Sequence, residues 1–157
     1  KLTGACNRQV FDLVFDNVAK SCKRRDETLG VVCIDLDEFK DVNDTFGHPG
    51  GDATLREVAS IIRRHSRDSD TLCRWGGDEF ILLLPGLDRK DTIAKAREIA
   101  DAIRENPVRF GRDNIMTTAS AGITEYRNGE EFETVITRAD NALYTAKSAG
   151  RDHISFA

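Results

Sequence analysis

Apolar residues recur at helical spacing in four segments of the chain, and polar residues occupy the opposite faces. Asp88 stands directly before the third segment, where its carboxylate can cap the first turn of a helix. The periodicity predicts four helices, over roughly 7–25, 50–66, 89–105 and 131–148.

Between these helices lie short apolar or alternating runs bounded by turn residues, which is the pattern of strands. GVVCI is continuously apolar and predicts a buried strand, while TLC and FILLLP predict a hairpin. IMTTASAGITE alternates between apolar and polar residues and predicts another strand. HISF predicts a last, short strand. The predicted strands cover 30–34, the hairpin 71–84, 115–125 and 153–156. The resulting order, α-β-α-β-β-α-β-α-β, predicts one α/β or α+β domain with helices packed on a mixed sheet.

The bulk composition is that of one ordinary globular domain. The chain has 157 residues, of which 39% are hydrophobic and 32% charged, and it shows no repeat or linker. The net charge of −4 argues against a general nucleic-acid-binding surface. No run of residues predicts a membrane span or signal peptide, so no membrane contact is expected from this segment. Because the sequence starts at Lys1 without an initiator Met, we expect one domain, 1–157, of a longer protein.

The four cysteines show neither a CxxC pair nor regular spacing. This pattern predicts free thiols rather than a disulfide framework or a zinc site. Cys33 and Cys73 lie inside apolar runs and are expected to be small core residues. Free thiols in turn favour a reducing, cytoplasmic location.

Four acids stand at the ends of two predicted strands. Asp35 and Asp37 follow the strand 30–34, and the adjacent Asp78 and Glu79 follow Gly76-Gly77 in the hairpin turn. If the strands are neighbours, these carboxylates meet at one edge of the sheet, and a cation would relieve their repulsion. Magnesium suits such a site, although any one strand-end acid can simply be solvated. No P-loop or GxGxxG motif occurs.

Gly76 and Gly77 lead to two expectations, one about the backbone of the turn and one about a ligand. Gly-Gly between apolar runs is typical of a hairpin turn whose central residues adopt positive φ. The missing side chains of Gly76 and Gly77 would also let a polyphosphate approach the backbone.

Four segments together resemble the GGDEF family of diguanylate cyclases nearly from end to end. They are LTGACNR at 2–8, DLDEFKDVNDTFGHPGGD at 35–52, GGDEF at 76–80 and RADNALYTAKSAGRD at 138–152. Ala5-Cys6 departs from the family pattern, which has Leu followed by Pro or Tyr. The resemblance implies a mainly antiparallel sheet and a ferredoxin-like core similar to the palm of class III nucleotide cyclases. It also implies condensation of two GTP molecules into cyclic di-GMP with release of two pyrophosphates.

The resemblance assigns catalytic and metal-binding roles to the strand-end acids. Asp35, Asp78 and the carbonyl of Leu36 would bind Mg²⁺, with Mn²⁺ as an alternative ion. Asp78 or a metal-bound water would take the proton of the attacking hydroxyl. Glu79 would assist at the same site, or serve as a structural acid paired with an arginine.

Other residues correspond to the family's nucleotide-binding positions. Asn43 and Asp52 would read guanine, although Asn and Asp in turns also cap helices. Phe39 would pack beside the nucleotide or in the core. The expected phosphate-binding cations are Lys40, Lys147 and Arg151, of which the last two could alternatively stabilise a helix end.

Arg67 and Asp70 form an RxxD motif at the distance before the turn where the family has an allosteric product site. An arginine can donate two hydrogen bonds to guanine O6 and N7, which fits feedback by cyclic di-GMP. An Arg and an Asp three residues apart also occur by chance in a chain this charged.

One such domain offers one GTP site, but the product has two-fold symmetry, so a catalytic homodimer is expected. Three alternatives stay open: a non-enzymatic receptor for GTP or cyclic di-GMP that signals through a partner, an unrelated metal-dependent phosphohydrolase, and a plain interaction module. The resemblance further implies a bacterial signalling protein whose catalytic domain lies in the cytoplasm, including on the cytoplasmic side of a membrane-anchored protein.

Overall fold

The structure, a computed structural model, describes residues 2–157. Four helices and eight strands follow one another in this stretch. The helices are α1 (Arg8–Arg25), α2 (Phe39–Arg64), α3 (Arg89–Glu105) and α4 (Phe132–Ser148). The strands are β1 (Cys6–Asn7), β2 (Leu29–Leu36), β3 (Thr71–Arg74), β4 (Glu79–Pro85), β5 (Val108–Phe110), β6 (Asp113–Ile115), β7 (Ala119–Glu125) and β8 (Ile154–Phe156).

Six strands form the main sheet, in the order β1-β3-β4-β2-β7-β8. The central neighbours are antiparallel, and only the outer pairs β1–β3 and β7–β8 are parallel. Within it, β2-α2-β3-β4-α3-β7 has the strand order β3-β4-β2-β7 of a ferredoxin-like βαββαβ unit. The predicted mixed, mainly antiparallel sheet flanked by helices is therefore confirmed.

Helices cover both faces of this sheet, which explains why the central strand reads as a continuous apolar run. Alternate residues of β2 point to opposite faces: Val32 and Ile34 pack with α2 and α3, while Val31 and Cys33 pack with α1 and α4. The C-terminal ends of β2 and α4 lie next to each other, as the contact between Asp35 and Lys147 shows.

Two of the predicted helix starts depend on side-chain caps. The Asp88 carboxylate accepts a hydrogen bond from the backbone N–H of Asp91 at 2.9 Å, as predicted. The Asn7 side chain caps α1 in the same way, accepting from the N–H of Val10 at 3.3 Å. Among residues 2–157, no helix is both long enough and apolar enough to cross a membrane.

α2 is longer than predicted because it is two helical segments joined at a kink. Gly47 has a left-handed φ of 70°, and Pro49 follows at the start of the second segment, where the missing N–H is tolerated. The sequence NDTFGHPGG therefore contains a kink between two helical segments, and α2 begins at Phe39 instead of near residue 50.

The predicted strand 115–125 is also wrong in its bounds, since residues 116–118 separate β6 from β7. β5 and β6 form a separate two-stranded hairpin. A small apolar cluster attaches this hairpin to the first segment of α2 and contains Val42, Val108 and Ile115.

The prediction that no disulfide forms is wrong for one pair of cysteines. β1 runs parallel to β3 with Cys6 opposite Cys73, and their sulfur atoms are joined. β1 has only two residues, too few for a periodicity to be visible in the sequence. Cys33 and Cys73 are buried in the core as predicted, and Cys22 and Cys33 are free thiols.

Candidate nucleotide and cation site

The register of the β2–β4 pair brings the strand-end acids together, as predicted. Asp35 lies directly opposite Glu79, and the next backbone N–H, that of Leu36, donates to the carbonyl of Asp78 at 3.1 Å. Directly opposed residues of an antiparallel pair project to the same face. Asp35 and Glu79 therefore point toward α4, with Asp78 beside them in the turn.

Asp35 lies in surroundings that disfavour a lone negative charge. Its Oδ1 atom is buried and has no hydrogen-bond partner among the described residues, while Oδ2 pairs with the Lys147 Nζ at 3.0 Å. Burial raises the pKa of Asp35 from its ordinary value to about 7, and the nearby Asp78 adds to this, whereas Lys147 lowers it. A bound cation would stabilise this arrangement, in which a carboxylate with an orphaned oxygen lies beside a second carboxylate.

Glu79 lies in the same acidic environment. Burial is the main cause that raises its pKa, and the charges of Asp140 and Asp78 raise it further. Arg8 and Lys147 act in the opposite direction. Asp140 on α4 is itself half-buried, with one carboxylate oxygen lacking a partner among the described residues. Its contribution was not foreseen from the sequence, where it lies far from the turn.

Asp37 differs from the other strand-end acids because its hydrogen bonds are satisfied within the fold. It is 7% exposed and accepts from the hydroxyls of Thr118 and Ser120, each at 2.7 Å, and from the N–H of Asp152 at 2.9 Å. Lys147 lies 3.8 Å away. Of the four acids expected to meet, Asp35, Asp78 and Glu79 therefore lie together, whereas Asp37 is a structural carboxylate.

The bond from Asp37 to Asp152 also positions a predicted phosphate-binding residue. It fixes the segment after α4 against the end of β2, and Arg104 holds the same segment by an ion pair with Asp152 at 3.1 Å. Arg151 is exposed in this segment and adopts a left-handed φ of 63°. Lys40, also exposed, lies in the first turn of α2 just after β2. All three predicted cations therefore lie near the end of β2.

The turn 75–78 is held by two arginines that the sequence analysis missed. Arg74 donates to the carbonyls of Gly76 at 3.2 Å and Gly77 at 2.7 Å. The guanidinium of Arg8 lies over the ring of Trp75, 4.2 Å from its centroid. These contacts fix the backbone that carries Asp78.

The expectation of positive φ at the two turn glycines is wrong. Neither Gly76 nor Gly77 is among the positive-φ residues, because a four-residue loop between β3 and β4 replaces the tight turn. A Cβ on Gly77 would meet no atom within 4 Å. The glycine therefore leaves open space next to Asp78, which is consistent with the second expectation, close approach of a ligand.

The kink in α2 brings Asn43, one of the two predicted guanine-reading residues, against Gly51 of the second segment. A Cβ on Gly51 would overlap the side-chain oxygen of Asn43 and would come within 3.1 Å of the Phe39 ring. Asp52 follows Gly51 directly and is half-buried. Asn43 and Phe39 therefore form a corner against Gly51, which depends on the absence of a side chain there, and Asp52 is the next residue of the helix.

The Arg67–Asp70 pair lies at the other end of the hairpin from the turn. Asp70 has a fully buried carboxylate that receives the Arg67 guanidinium at 2.7 Å and the Arg67 backbone N–H at 2.7 Å. Arg67 also donates to the carbonyl of Pro85 at 2.7 Å, while its side chain stays 47% exposed. The motif is a preorganised arginine at the surface, separate from the acidic edge.

The donor set at the acidic edge fits a magnesium ion shared with a phosphate. No group of three or more Asp, Glu, His or Cys side chains within residues 2–157 could hold a metal ion by itself. Asp35 and Asp78 nevertheless offer two carboxylates, one with an orphaned oxygen, beside the Leu36 backbone. Mg²⁺ is commonly bound by one or two carboxylates, with waters and substrate phosphates completing the shell.

Comparison with known proteins identifies the family. The family model "Diguanylate cyclase, GGDEF domain" matches residues 1–153. A curated relative, diguanylate cyclase A of Treponema denticola, is 37% identical over 92% of this chain. The chain therefore belongs to the GGDEF-domain family of diguanylate cyclases, as the sequence motifs indicated.

Solved structures agree with this assignment. Diguanylate cyclase SiaD of Pseudomonas aeruginosa, solved in complex with its activator SiaC, matches with a TM-score of 0.93 and 38% identity over 99% of this chain and 60% of that one. The GGDEF domain of DgcB from Caulobacter crescentus, in complex with c-di-GMP, matches with a TM-score of 0.92 and 31% identity over 99% of this chain and 90% of that one. The chain spans only 40% of the length of the Treponema relative.

The contrast between Asp35 and Asp37 yields a prediction about stability. At pH 8 without divalent metal, Asp37→Asn should lower the free energy of unfolding by about 2 kcal/mol, because an amide N–H₂ would face the donors that now bind the carboxylate. Asp35→Asn should leave it unchanged or raise it, because ionised Asp35 destabilises the fold above its raised pKa of about 7. Urea unfolding measures both variants. Equal destabilisation of the two would contradict the distinction.

Proposed function

We propose that this chain is the catalytic domain of a diguanylate cyclase, part of a longer signalling protein, and that it condenses two GTP molecules into cyclic di-GMP. The observation that carries the proposal is the orphaned carboxylate oxygen of Asp35, a residue that lies beside Asp78 at the glycine turn. Membership of the family and the named activity of the relatives support it.

Asp35, Asp78 and the Leu36 carbonyl would hold Mg²⁺, with Mn²⁺ as the alternative ion. Bound there, the ion would offset the negative charge of the triphosphate and favour ionisation of the attacking 3′-hydroxyl. Asp78 or a water would accept the proton. Glu79, which lies in the same half-buried acidic environment, would assist the reaction by positioning the neighbouring Asp78.

The remaining contacts would select and orient the nucleotide. The Asp52 carboxylate would accept from guanine N1–H and N2–H, whereas adenine presents an acceptor at N1, and Asn43 would complete the recognition. Phe39 would pack beside the base. Lys40 and Arg151 would bind the phosphates that pass over Gly76 and Gly77. Lys147, which now pairs with Asp35, would move to the phosphates when a cation takes its place.

Two copies of the domain are needed for the complete reaction. Each 3′-hydroxyl must reach the α-phosphate of the other nucleotide, so two sites must face each other about a two-fold axis. The resulting homodimer can be transient, and in the longer protein a partner or neighbouring domain would promote it. SiaD, solved in complex with its activator SiaC, shows that a similar cyclase has an activating partner.

The alternative is a receptor that binds GTP or cyclic di-GMP without turnover. The complex of the DgcB domain with c-di-GMP shows that a similar domain binds this dinucleotide. The intact acids at the turn favour the enzyme, because a pure receptor has no use for a charge cluster that costs stability.

Pyrophosphate release should distinguish the enzyme from the receptor. With magnesium, the domain at high concentration or fused to a forced dimer should release pyrophosphate from GTP and not from ATP, with a cyclic di-GMP phosphodiesterase present to remove product. Asp78→Ala should lower the rate at least a thousandfold, about 4 kcal/mol in the barrier. Asp16→Ala, an exposed acid on α1 with no proposed role in binding, is the control. GTP binding by a forced dimer without turnover would instead establish the receptor.

Gly51→Ala should weaken GTP binding at least tenfold by displacing the Asn43 side chain. Asn43→Ala should have a similar effect, and the double variant should be no worse than either single one, because both remove the same contact. Isothermal titration with a non-hydrolysable GTP analogue measures the affinities, with the exposed Asp44→Ala as control. Additive losses would mean that Gly51 acts elsewhere.

Arg67→Lys tests product feedback while keeping a positive charge beside the buried Asp70. Lysine cannot reproduce the two-pronged hydrogen bond of arginine to guanine. The concentration of cyclic di-GMP that halves turnover, relative to each protein's own uninhibited rate, should therefore rise about tenfold or more. Arg64→Lys, on the exposed face of α2, is the matched control. An unchanged inhibition curve would exclude Arg67 from the feedback site.

A further inference from the structure

The Cys6–Cys73 pair joins the first strand of the domain to the strand that leads into the glycine turn. The two residues lie opposite each other in the β1–β3 register, with a Cα–Cα distance of 4.4 Å. Cys73 is fully buried, whereas Cys6 is partly exposed. The remaining thiols, Cys22 and Cys33, are buried and free. Of these four cysteines, only Cys6 is therefore both accessible to a small oxidant and adjacent to a second thiol.

We propose that Cys6 and Cys73 are a reversible oxidation site for hydroperoxides, and that their disulfide locks β1 onto β3 and stiffens the turn that carries Asp78. The inference goes beyond the proposed function. The bond and the stiffening do not depend on whether the domain turns over GTP.

The chemistry uses the unequal exposure of the two sulfurs. The Cys6 thiolate attacks the outer oxygen of the peroxide, the O–O bond breaks, and the departing oxygen leaves as water or an alcohol. Cys6 is now a sulfenic acid. The Cys73 thiolate attacks its sulfur, an S–S bond forms, and hydroxide leaves as water. For hydrogen peroxide the two thiols lose two electrons and two protons and the peroxide becomes two waters. A dithiol reductant reverses the step by exchange.

The small size of β1 makes the covalent bond important. The strand has two residues and pairs with β3 alone, at the edge of the sheet. In the reduced protein, a short ladder of backbone hydrogen bonds at an edge opens easily. The disulfide closes a loop with a sequence separation of 67 and removes this freedom.

The next residues along both strands transmit this constraint to the turn. Asn7 lies opposite Arg74, and Arg8 stacks on Trp75 at 4.2 Å. Arg74 in turn donates to the carbonyls of Gly76 and Gly77. Oxidation therefore constrains Arg74 at the end of β3 and Arg8 at the start of α1, the two arginines that hold the turn.

The bond is tested by mapping thiols in the whole protein. Reduced protein is titrated with hydrogen peroxide, the free thiols are alkylated, and the peptides are analysed without reductant. We expect loss of two thiols, joined as Cys6–Cys73, with Cys22 and Cys33 still alkylated. A dithiol should restore all four. Oxidation at Cys22 or Cys33 first, or mixed pairings, would overturn the assignment.

Stiffening of the turn is tested by amide hydrogen exchange in peptides covering 74–80. Exchange should slow about tenfold on oxidation, and Tm should rise by roughly 5–10 °C. Cys6→Ser should abolish both changes, whereas Cys22→Ala should keep them. Equal exchange in the oxidised and reduced states would show that the bond does not affect the turn.

A turnover assay then separates this inference from the proposed function. If GTP turnover is absent but exchange at 74–80 follows the redox state, the proposed function fails and the oxidation site stands. If turnover is present but neither the bond nor the change in exchange is found, the oxidation site fails alone.

Discussion

The antiparallel pairing of β2 with β4 is the constraint on which the rest of the site depends. It places Asp35 opposite Glu79 and joins Leu36 to Asp78 by a backbone hydrogen bond. A shift of one residue would turn every side chain of β4 to the other face of the sheet. Leu82 and Leu84 would leave their core, and the residues next to them, which now pack on the opposite face, would take their places. The apolar cores on both faces therefore fix the register. The acids are held together by the packing of these cores and not by any attraction between the acids themselves. Repulsion between the carboxylates is the cost that the packing offsets.

Much of this arrangement could be predicted from the sequence, for a physical reason. Helices and strands that pack on one core show periodicity, so all four helices and the central strands were recognisable. The meeting of the strand-end acids was predictable because a short hairpin turn fixes which edge of the sheet a residue such as Asp78 occupies. The kink at Gly47 and the start of α2 were not predictable, because Gly-His-Pro-Gly-Gly is typical of a loop and only packing against β5 and β6 shows that helical backbone continues on both sides.

Other features depend on contacts between residues remote in sequence, which no local pattern records. Asp35 and Asp37 look equivalent in DLD, but Thr118, Ser120 and Asp152 satisfy only the second of them. Cys6 and Cys73 look unrelated until β1 adds to the sheet edge. The turn glycines suggested a backbone conformation that a four-residue loop makes unnecessary. For the aspartates and the cysteines, the residue type was recognised and its partner was not.

The divided helix α2 has a consequence for how a nucleotide site of this kind can change. Its second segment packs in the main core through Leu55, Val58 and Ile62. Its first segment contacts the small β5–β6 hairpin, where the ring centroids of Phe46 and Phe110 are 6.5 Å apart. The contact between Asn43 and Gly51 spans the two segments. The second segment is thus attached to the main core, whereas the first segment, which carries Asn43, packs largely against the β5–β6 hairpin. Substitutions in the β5–β6 hairpin, far from any reacting atom, can therefore widen or narrow the corner while the acidic edge stays unchanged. Base preference and catalytic rate can thus evolve separately.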